Sequence, residues 1–244
     1  MITLIRFRSL SLLFCLAILG ACSSNPQNTV DPYEKWNRKV YAFNDGLDRA
    51  ILKPLAKGYK VVTPDPVKTG VGNFFDNLSE ISNVLNDILQ WKWKQAGNDS
   101  GRFILNSTVG LLGFVDVARK LGLEKSDGED FGQTLAVWGV PQGPYIMLPF
   151  LGPANVSSTA GLPLDWASNP VAYLNPALDR YAVAGLDLVQ VRAKLLEAED
   201  LISGDRYTFI RDAWMQRREF LINDGELDDD FGDDFGDEFG DEFE

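Results

Sequence analysis

The spacing of apolar residues constrains this chain more than any other feature. Between Asp31 and Gly225, large apolar side chains recur every three or four positions, and strict alternation is almost absent. A period near 3.6 places such residues on one face of a helix, whereas a half-buried strand needs a period of two. Trp36, Val40, Phe43, Leu47 and Ile51 form a first stripe. It follows Asp31-Pro32, which reads as an N-cap with proline at the first helical position. Pro54 is expected to stop or kink that helix. Phe74, Leu78, Ile81, Leu85 and Ile88 form a second stripe, and a third helix is expected over 98–107 with Phe103, Ile104 and Leu105. Ala184, Leu188, Val191, Leu195, Ala198 and Ile202 mark a long late helix. A last one begins near Asp205 and carries Tyr207, Ile210, Trp214 and Leu221. The pattern predicts one all-α domain over 31–225, each stripe turned toward a common core.

The middle of the chain breaks this rhythm. Residues 109–176 are rich in Gly and Pro, as in Gly110-Leu111-Leu112-Gly113 and Trp138-Gly139-Val140-Pro141-Gln142-Gly143-Pro144-Tyr145. Two short helices with an irregular Gly/Pro-rich hairpin are expected there. The apolar run Ile146 to Leu151 needs a burial partner, either a core or lipid. Gly139 and Gly143 tolerate positive φ, while Pro141 and Pro144 are stiff, so bending is expected to concentrate at the two glycines. Trp91-Lys92-Trp93-Lys94 has the composition of a bilayer-interface segment, with indoles at headgroup level and ammonium groups reaching phosphate.

The two ends differ from the body. Arg6 and Arg8 precede an apolar run, Leu10 to Leu19, too short to span a bilayer well. Leu19-Gly20-Ala21-Cys22 resembles the lipobox of bacterial lipoproteins. That resemblance makes 1–21 a signal peptide, Cys22 the lipidation site and 22–30 a lipidated tether. Ser23 after the cysteine, by the same resemblance, favours the outer membrane. At the other end, residues 226–244 hold 11 acidic residues, no basic ones, and Phe231, Phe235, Phe239 and Phe243 at four-residue spacing. A disordered acidic tail is expected, because self-repulsion is strong and apolar content low. The net charge of −12 belongs mainly to that tail: 22–225 hold 24 acidic and 21 basic residues.

Composition excludes several functions. The chain has no histidine, and its two cysteines are Cys15 and Cys22. Triads with a His base and His- or Cys-based zinc sites are thereby ruled out. A Gly-x-Ser-x-Gly elbow and a P-loop are absent. Asp130-Phe131-Gly132 spells a kinase motif, but the His-Arg-Asp loop that must accompany it cannot exist here. Asp127, Glu129 and Asp130 are the nearest approach to an acid–base set and read as a solvated loop. No catalytic residue, metal site or cofactor is expected, and the charge disfavours nucleic acid.

An ordered series of segments is more specific. Asp31-Pro32-Tyr33-Glu34-Lys35-Trp36-Asn37-Arg38, Gly70-Val71-Gly72-Asn73-Phe74-Phe75-Asp76-Asn77-Leu78 and Arg102-Phe103-Ile104-Leu105-Asn106 open it. Asp130-Phe131-Gly132-Gln133-Thr134-Leu135, Gly143-Pro144-Tyr145, Leu148-Pro149-Phe150-Leu151-Gly152-Pro153, Asp205-Arg206-Tyr207 and Gln216-Arg217-Arg218-Glu219 continue it. Together they resemble the MlaA (VacJ) family of outer-membrane lipoproteins. The resemblance implies a single ring-like helical domain in the inner leaflet of the outer membrane, anchored from the periplasmic side, beside a trimeric porin. Its amphipathic channel would take mislocalised phospholipids from the outer leaflet and pass them to a soluble periplasmic lipid carrier, maintaining lipid asymmetry. On that reading Gly139, Gly143 and Tyr145 are channel hinge or lining candidates, and Trp91, Trp93, Phe150 and Leu151 are membrane-contact candidates. A scaffolding lipoprotein that binds porins without transferring lipid is the alternative. Two departures stand out: Ser157-Ser158 where the family usually has Arg-Asp, and Glu80-Ile81 where a proline is common.

Overall fold

The computed structural model describes residues 31–225 apart from residue 203. The leader, Cys22, the tether and the acidic tail lie outside the described residues. Helices dominate. In chain order they are α1 (Glu34–Leu47), α2 (Lys53–Val62), α3 (Asp65–Leu89), α4 (Trp93–Thr108), α5 (Val117–Lys120), α6 (Phe131–Val137), α7 (Val156–Ser168), α8 (Ala177–Leu195) and α9 (Arg206–Ile222). Strands β1 (Tyr145–Leu148) and β2 (Gly152–Asn155) pair antiparallel, Tyr145 opposite Asn155 and Leu148 opposite Gly152. The all-α class expected from the periodicity holds.

Three local expectations change. Asp31 does not cap α1 with its side chain. It is fully buried, and its carboxylate accepts from Asn37 Nδ2 (2.8 Å) and from the Tyr207 hydroxyl, tying the start of the domain to α9. Pro54 does not stop the first helix. A π-turn, Asp48–Leu52, leads into α2 with Pro54 in its first turn. Proline has no N–H for the carbonyl four residues back, and the widened turn ahead of it absorbs the misfit. The middle of the chain holds three short helices rather than two, and its hairpin is a regular ladder rather than irregular. Each short helix starts on a side-chain cap: Asp116 accepts from Arg119 N, Asp130 from Gln133 N and Asn155 from Ser158 N. Such caps contribute about 1 kcal/mol apiece, enough to start helices that Gly and Pro would otherwise suppress.

The largest correction concerns which face is inside. The apolar stripes have the helical period but do not face a common core. On α3 the buried set is mostly polar: Asn77, Glu80, Asn83, Asn86 and Asp87. Leu85 and Ile88, from the expected core stripe, remain 43% and 41% exposed. On α4, Asp99, Arg102 and Asn106 are buried while Ile104 is exposed. On α8, Gln190 is buried while Leu188, Val191 and Leu195 are exposed. On α1 only Val40 of the stripe is buried, and Trp36, Phe43 and Ile51 are exposed. The polar interior is feasible because most of it is paired. Arg102 Nη2 reaches Asp116 at 3.2 Å, Asn83 Nδ2 donates to Glu80 at 3.1 Å, and Ser126 Oγ donates to Asp99 at 2.7 Å. A small apolar core of Val40, Tyr145, Met147 and Tyr207, flanked by Tyr41, Trp214 and Met215, sits where α1, the hairpin and α9 meet.

Candidate functional site

Four exposed apolar side chains stand at turns that the backbone holds in an unusual conformation. Trp91, between α3 and α4, has φ 64°; Leu111 and Leu112 have φ 55° and 59°; Phe150, at the hairpin tip, has φ 65°. Bulky L-residues rarely adopt positive φ, and each such residue costs on the order of 1–3 kcal/mol. All four display their side chains: Trp91 is 74% exposed, Leu111 70%, Leu112 69% and Phe150 73%. Hydrogen bonds fix these turns. Lys92 N donates to Asp87 O (2.9 Å) behind Trp91, and Gly113 N donates to Asn106 O (2.8 Å) behind Leu112. Asn44 grips the hairpin tip from both sides, accepting from Phe150 N and donating to Leu148 O, each at 2.9 Å.

The membrane-contact candidates from the sequence, Trp91, Trp93, Phe150 and Leu151, are all exposed. Trp91 and Trp93 form a T-shaped pair at 5.7 Å, and Phe150 packs edge-on to Phe43 at 5.2 Å. Trp93 and Leu151 are exposed beside them. Leu111 and Leu112 are comparably exposed and were not singled out by the sequence. Their signal was the two leucines held between Gly110 and Gly113. An added Cβ would fall 2.2 Å from Val115 O at Gly110, and 2.6 Å from Asn77 Cβ at Gly113. The loop is therefore clamped tightly to α3, with its leucines outward.

The hinge and lining candidates occupy different settings. Gly139 ends α6 at φ 86°; its N–H donates to Ala136 O, Val140 N donates to Leu135 O, and a Cβ there would meet open space. These bonds form a Schellman cap. Gly143 has φ 69°, and a Cβ there would lie 2.7 Å from Val156 Cγ2. Tyr145 is buried, its ring packed against Tyr207 and Trp214 at 6.5 and 5.8 Å.

The polar interior carries the electrostatics. Asp87 is fully buried, and neither carboxylate oxygen has a hydrogen-bond partner among the described residues. Burial, together with the like charges of Asp99 and Glu129, pushes its pKa up to about 8. The three loop carboxylates are engaged separately. Asp127 meets Arg217 at 3.0 Å, Glu129 meets Lys92 at 2.9 Å, and Asp130 holds Arg218 while capping α6. Glu129 and Asp130 are thus not the solvated loop the sequence suggested. At the departures from the family pattern, Glu80 pairs with Arg102, while Ser157 Oγ donates to Asn155 (3.0 Å) inside the α7 cap. A cavity of about 470 Å³ opens between α1, the hairpin, α8 and α9; Met147, Leu195, Phe209 and Ile210 wall it, and Asp48, Arg192 and Glu199 stand at its edge. Among the described residues no group of three or more carboxylates is arranged to hold a metal ion, and no helix is long and apolar enough to cross a membrane.

The family model described as MlaA lipoprotein matches residues 29–221. The chain belongs to the MlaA lipoprotein family. The Escherichia coli K12 protein named intermembrane phospholipid transport system lipoprotein MlaA is 33% identical over 232 residues, 91% of each chain. The Haemophilus influenzae protein of the same name is 32% identical over 236 residues, 89% of this chain and 90% of its own. A Rickettsia typhi protein is 39% identical over 193 residues, 78% of this chain and 76% of its own. A solved structure described as the structural basis for maintenance of bacterial outer membrane lipid asymmetry superposes with a TM-score of 0.68 at 32% identity. It covers 79% of this chain and 99% of its own. Family membership and the helical fold therefore rest on both sequence and structure.

Proposed function

We propose that this lipoprotein sits in the inner leaflet of the outer membrane, anchored from the periplasmic side through Cys22. There it moves phospholipids that have strayed into the outer leaflet along an amphipathic route to a soluble periplasmic lipid carrier, next to a trimeric porin. The observation that carries this reading is the inversion of α3, α4 and α8, with polar residues buried and apolar residues outward. In water, each large side chain left exposed forgoes about 1.5–3 kcal/mol of burial free energy. In lipid the same face loses nothing, and turning the polar residues inward keeps them out of the acyl region. The names of the Escherichia coli and Haemophilus influenzae relatives support the same substrate.

The energetics require a protein route. Each methylene buried is worth about 0.8 kcal/mol, so pulling two long acyl chains into water costs more than roughly 20 kcal/mol. On this reading Trp91, Trp93, Leu111, Leu112, Phe150 and Leu151 contact acyl chains or the headgroup zone, and the segment between Gly139 and Gly143 moves beside the route. Tyr145 anchors the far side of that segment in the core. Phospholipid co-purifying with the protein, together with a rise in outer-leaflet phospholipid in cells that lack it, tests the proposal. A protein free of lipid and an unchanged outer leaflet would leave the scaffolding alternative standing.

A further inference from the structure

Resting on the transport reading above, we propose a specific headgroup site: the basic cleft between α2, the start of α3 and the end of α8 binds the phosphodiester of a phospholipid. The cleft has a volume of about 300 Å³ and is lined by Tyr59, Lys60, Lys68, Gln190, Lys194 and Glu197. It is separate from the larger apolar cavity and from the buried Glu80–Arg102 seam.

Its donors are complementary to a singly charged anion. Lys60 Nζ pairs with Glu197 at 2.5 Å and Lys68 Nζ with Asp65 at 2.6 Å. Lys194 makes no ion pair among the described residues, so the three lysines of the cleft have two carboxylate partners, Glu197 in the lining and Asp65 outside it. The uncompensated charge is one positive, the match for a phosphodiester rather than for a phosphate dianion. Room for the Lys194 ammonium is built into α3. Gly72 is buried, and a Cβ added there would lie 3.0 Å from Lys194 Nζ and 3.3 Å from its Cε. A side chain at that position would push the ammonium out of place.

Two polar atoms in the cleft await a ligand. The Tyr59 hydroxyl is buried with no partner, and burial raises its pKa, so it stays protonated and able to donate. Gln190 is 3% exposed and its Oε1 also lacks a partner, although its Nε2 donates to Asp187 at 2.9 Å. Unpaired buried polar groups are costly, and a ligand that satisfies them recovers that cost. A phosphodiester supplies acceptors for the lysines and Tyr59, and the hydroxyl or ammonium of a headgroup supplies a donor for Gln190. Exposed apolar residues neighbour the cleft lysines in sequence on both helices. Val61 and Val62 follow Lys60 and are 85% and 77% exposed, and Leu195 follows Lys194 at 53%. An amphiphile with its phosphate in the cleft can lay its chains along them, which free phosphate cannot do.

The test uses the full lipidated protein in detergent, with two probes offered separately: monomeric dihexanoyl phosphatidylglycerol and inorganic phosphate. Lys194→Gln should weaken binding of the short-chain lipid about tenfold or more, as expected for loss of a charge-assisted contact. Lys194→Arg should restore most of that affinity, and Lys120→Gln, on α5 and outside the cleft lining, should leave it unchanged. Inorganic phosphate should bind much more weakly than the lipid. Unchanged lipid affinity in both Lys194→Gln and a Lys60→Gln/Lys194→Gln double variant overturns the site. Inorganic phosphate binding as tightly as the lipid, and lost in the same variants, makes it a free-phosphate site and also overturns the proposal. If the parent protein binds no phospholipid at all, the transport reading fails together with the cleft.

Discussion

Arg102 Nε lies 2.8 Å from Glu80 Oε1, with the two side chains 3% and 1% exposed. The pair joins α4 to α3 through the middle of the polar seam, and Arg102 Nη1 also donates to Leu123 O at 2.7 Å. Cutting a buried pair on one side strands the other charge, whereas removing both charges relieves the seam. Arg102→Met is therefore expected to lower stability by about 3–5 kcal/mol. A Glu80→Met/Arg102→Met double variant should lose clearly less. Denaturant unfolding of the detergent-solubilised protein measures both.

Asp87 gives the fold a pH dependence of defined sign. Burial first, then Asp99, Glu129 and Glu80, raise its pKa to about 8, against the lowering by Lys92. An unfolded aspartate loses its proton near pH 4. Between about pH 4 and 8 the folded chain thus holds a proton that the unfolded chain has lost, and stability falls as pH rises. Below that window both states are protonated and the effect disappears. Asp165, raised by burial to about 6, acts in the same direction over a narrower range. Asp87→Asn should raise the melting temperature at pH 8 by several degrees, change it little at pH 4, and flatten the profile between.

The outward stripes give a contrast between stability and membrane affinity. Leu85→Ser and Ile88→Ser, at positions 43% and 41% exposed, should cost less than about 1 kcal/mol in detergent, where truncation of a buried leucine or isoleucine costs about 2–5. In a Cys22→Ala background, which removes the anchor, the same changes combined with Trp91→Ser and Trp93→Ser should reduce flotation with phospholipid vesicles severalfold. Undiminished flotation would show that these residues do not contact lipid.

The sequence disclosed the helical period, because that period depends only on residue spacing. It did not disclose direction. Phe74, Leu78, Ile81, Leu85 and Ile88 read as core-facing only under the assumption that water lies outside. Glu80, Asn83, Asn86 and Asp87, on the opposite face of α3, were the inward set. Their partners Arg102, Glu129 and Thr134 lie elsewhere in the chain, and no local pattern announces such pairing. Asp31 was misread for a similar reason: its partner Tyr207 is 176 residues away. The exposure of Trp91, Trp93, Phe150 and Leu151 was legible in the sequence. Leu111 and Leu112 were less so, since the positive φ that turns them outward is a tertiary effect.

The two hinge candidates should respond differently to substitution. At Gly143 a Cβ lies 2.7 Å from Val156 Cγ2 and φ is positive, so Gly143→Val should destabilise the protein markedly and Val156→Ala should recover part of the loss. At Gly139 the space is open, so Gly139→Ala should cost only about 1 kcal/mol, from the positive φ. If the segment moves during transport, Gly139→Ala should shift outer-leaflet phospholipid while the melting temperature changes by only a few degrees. A shift in neither quantity would make the cap a static turn.

On the proposed function, the apolar exterior and polar seam serve phospholipid removal from the outer leaflet. Its most direct test is the amount of outer-leaflet phospholipid in cells lacking this protein, measured by a surface-restricted phospholipase or acyltransferase reporter. Parent cells, deletion cells and deletion cells carrying Arg102→Met or the parent chain are to be compared. The expected result is a several-fold rise in the deletion strain, reversed by the parent chain and not by Arg102→Met. Outer-leaflet phospholipid that stays at the parent level in the deletion strain would contradict the claim.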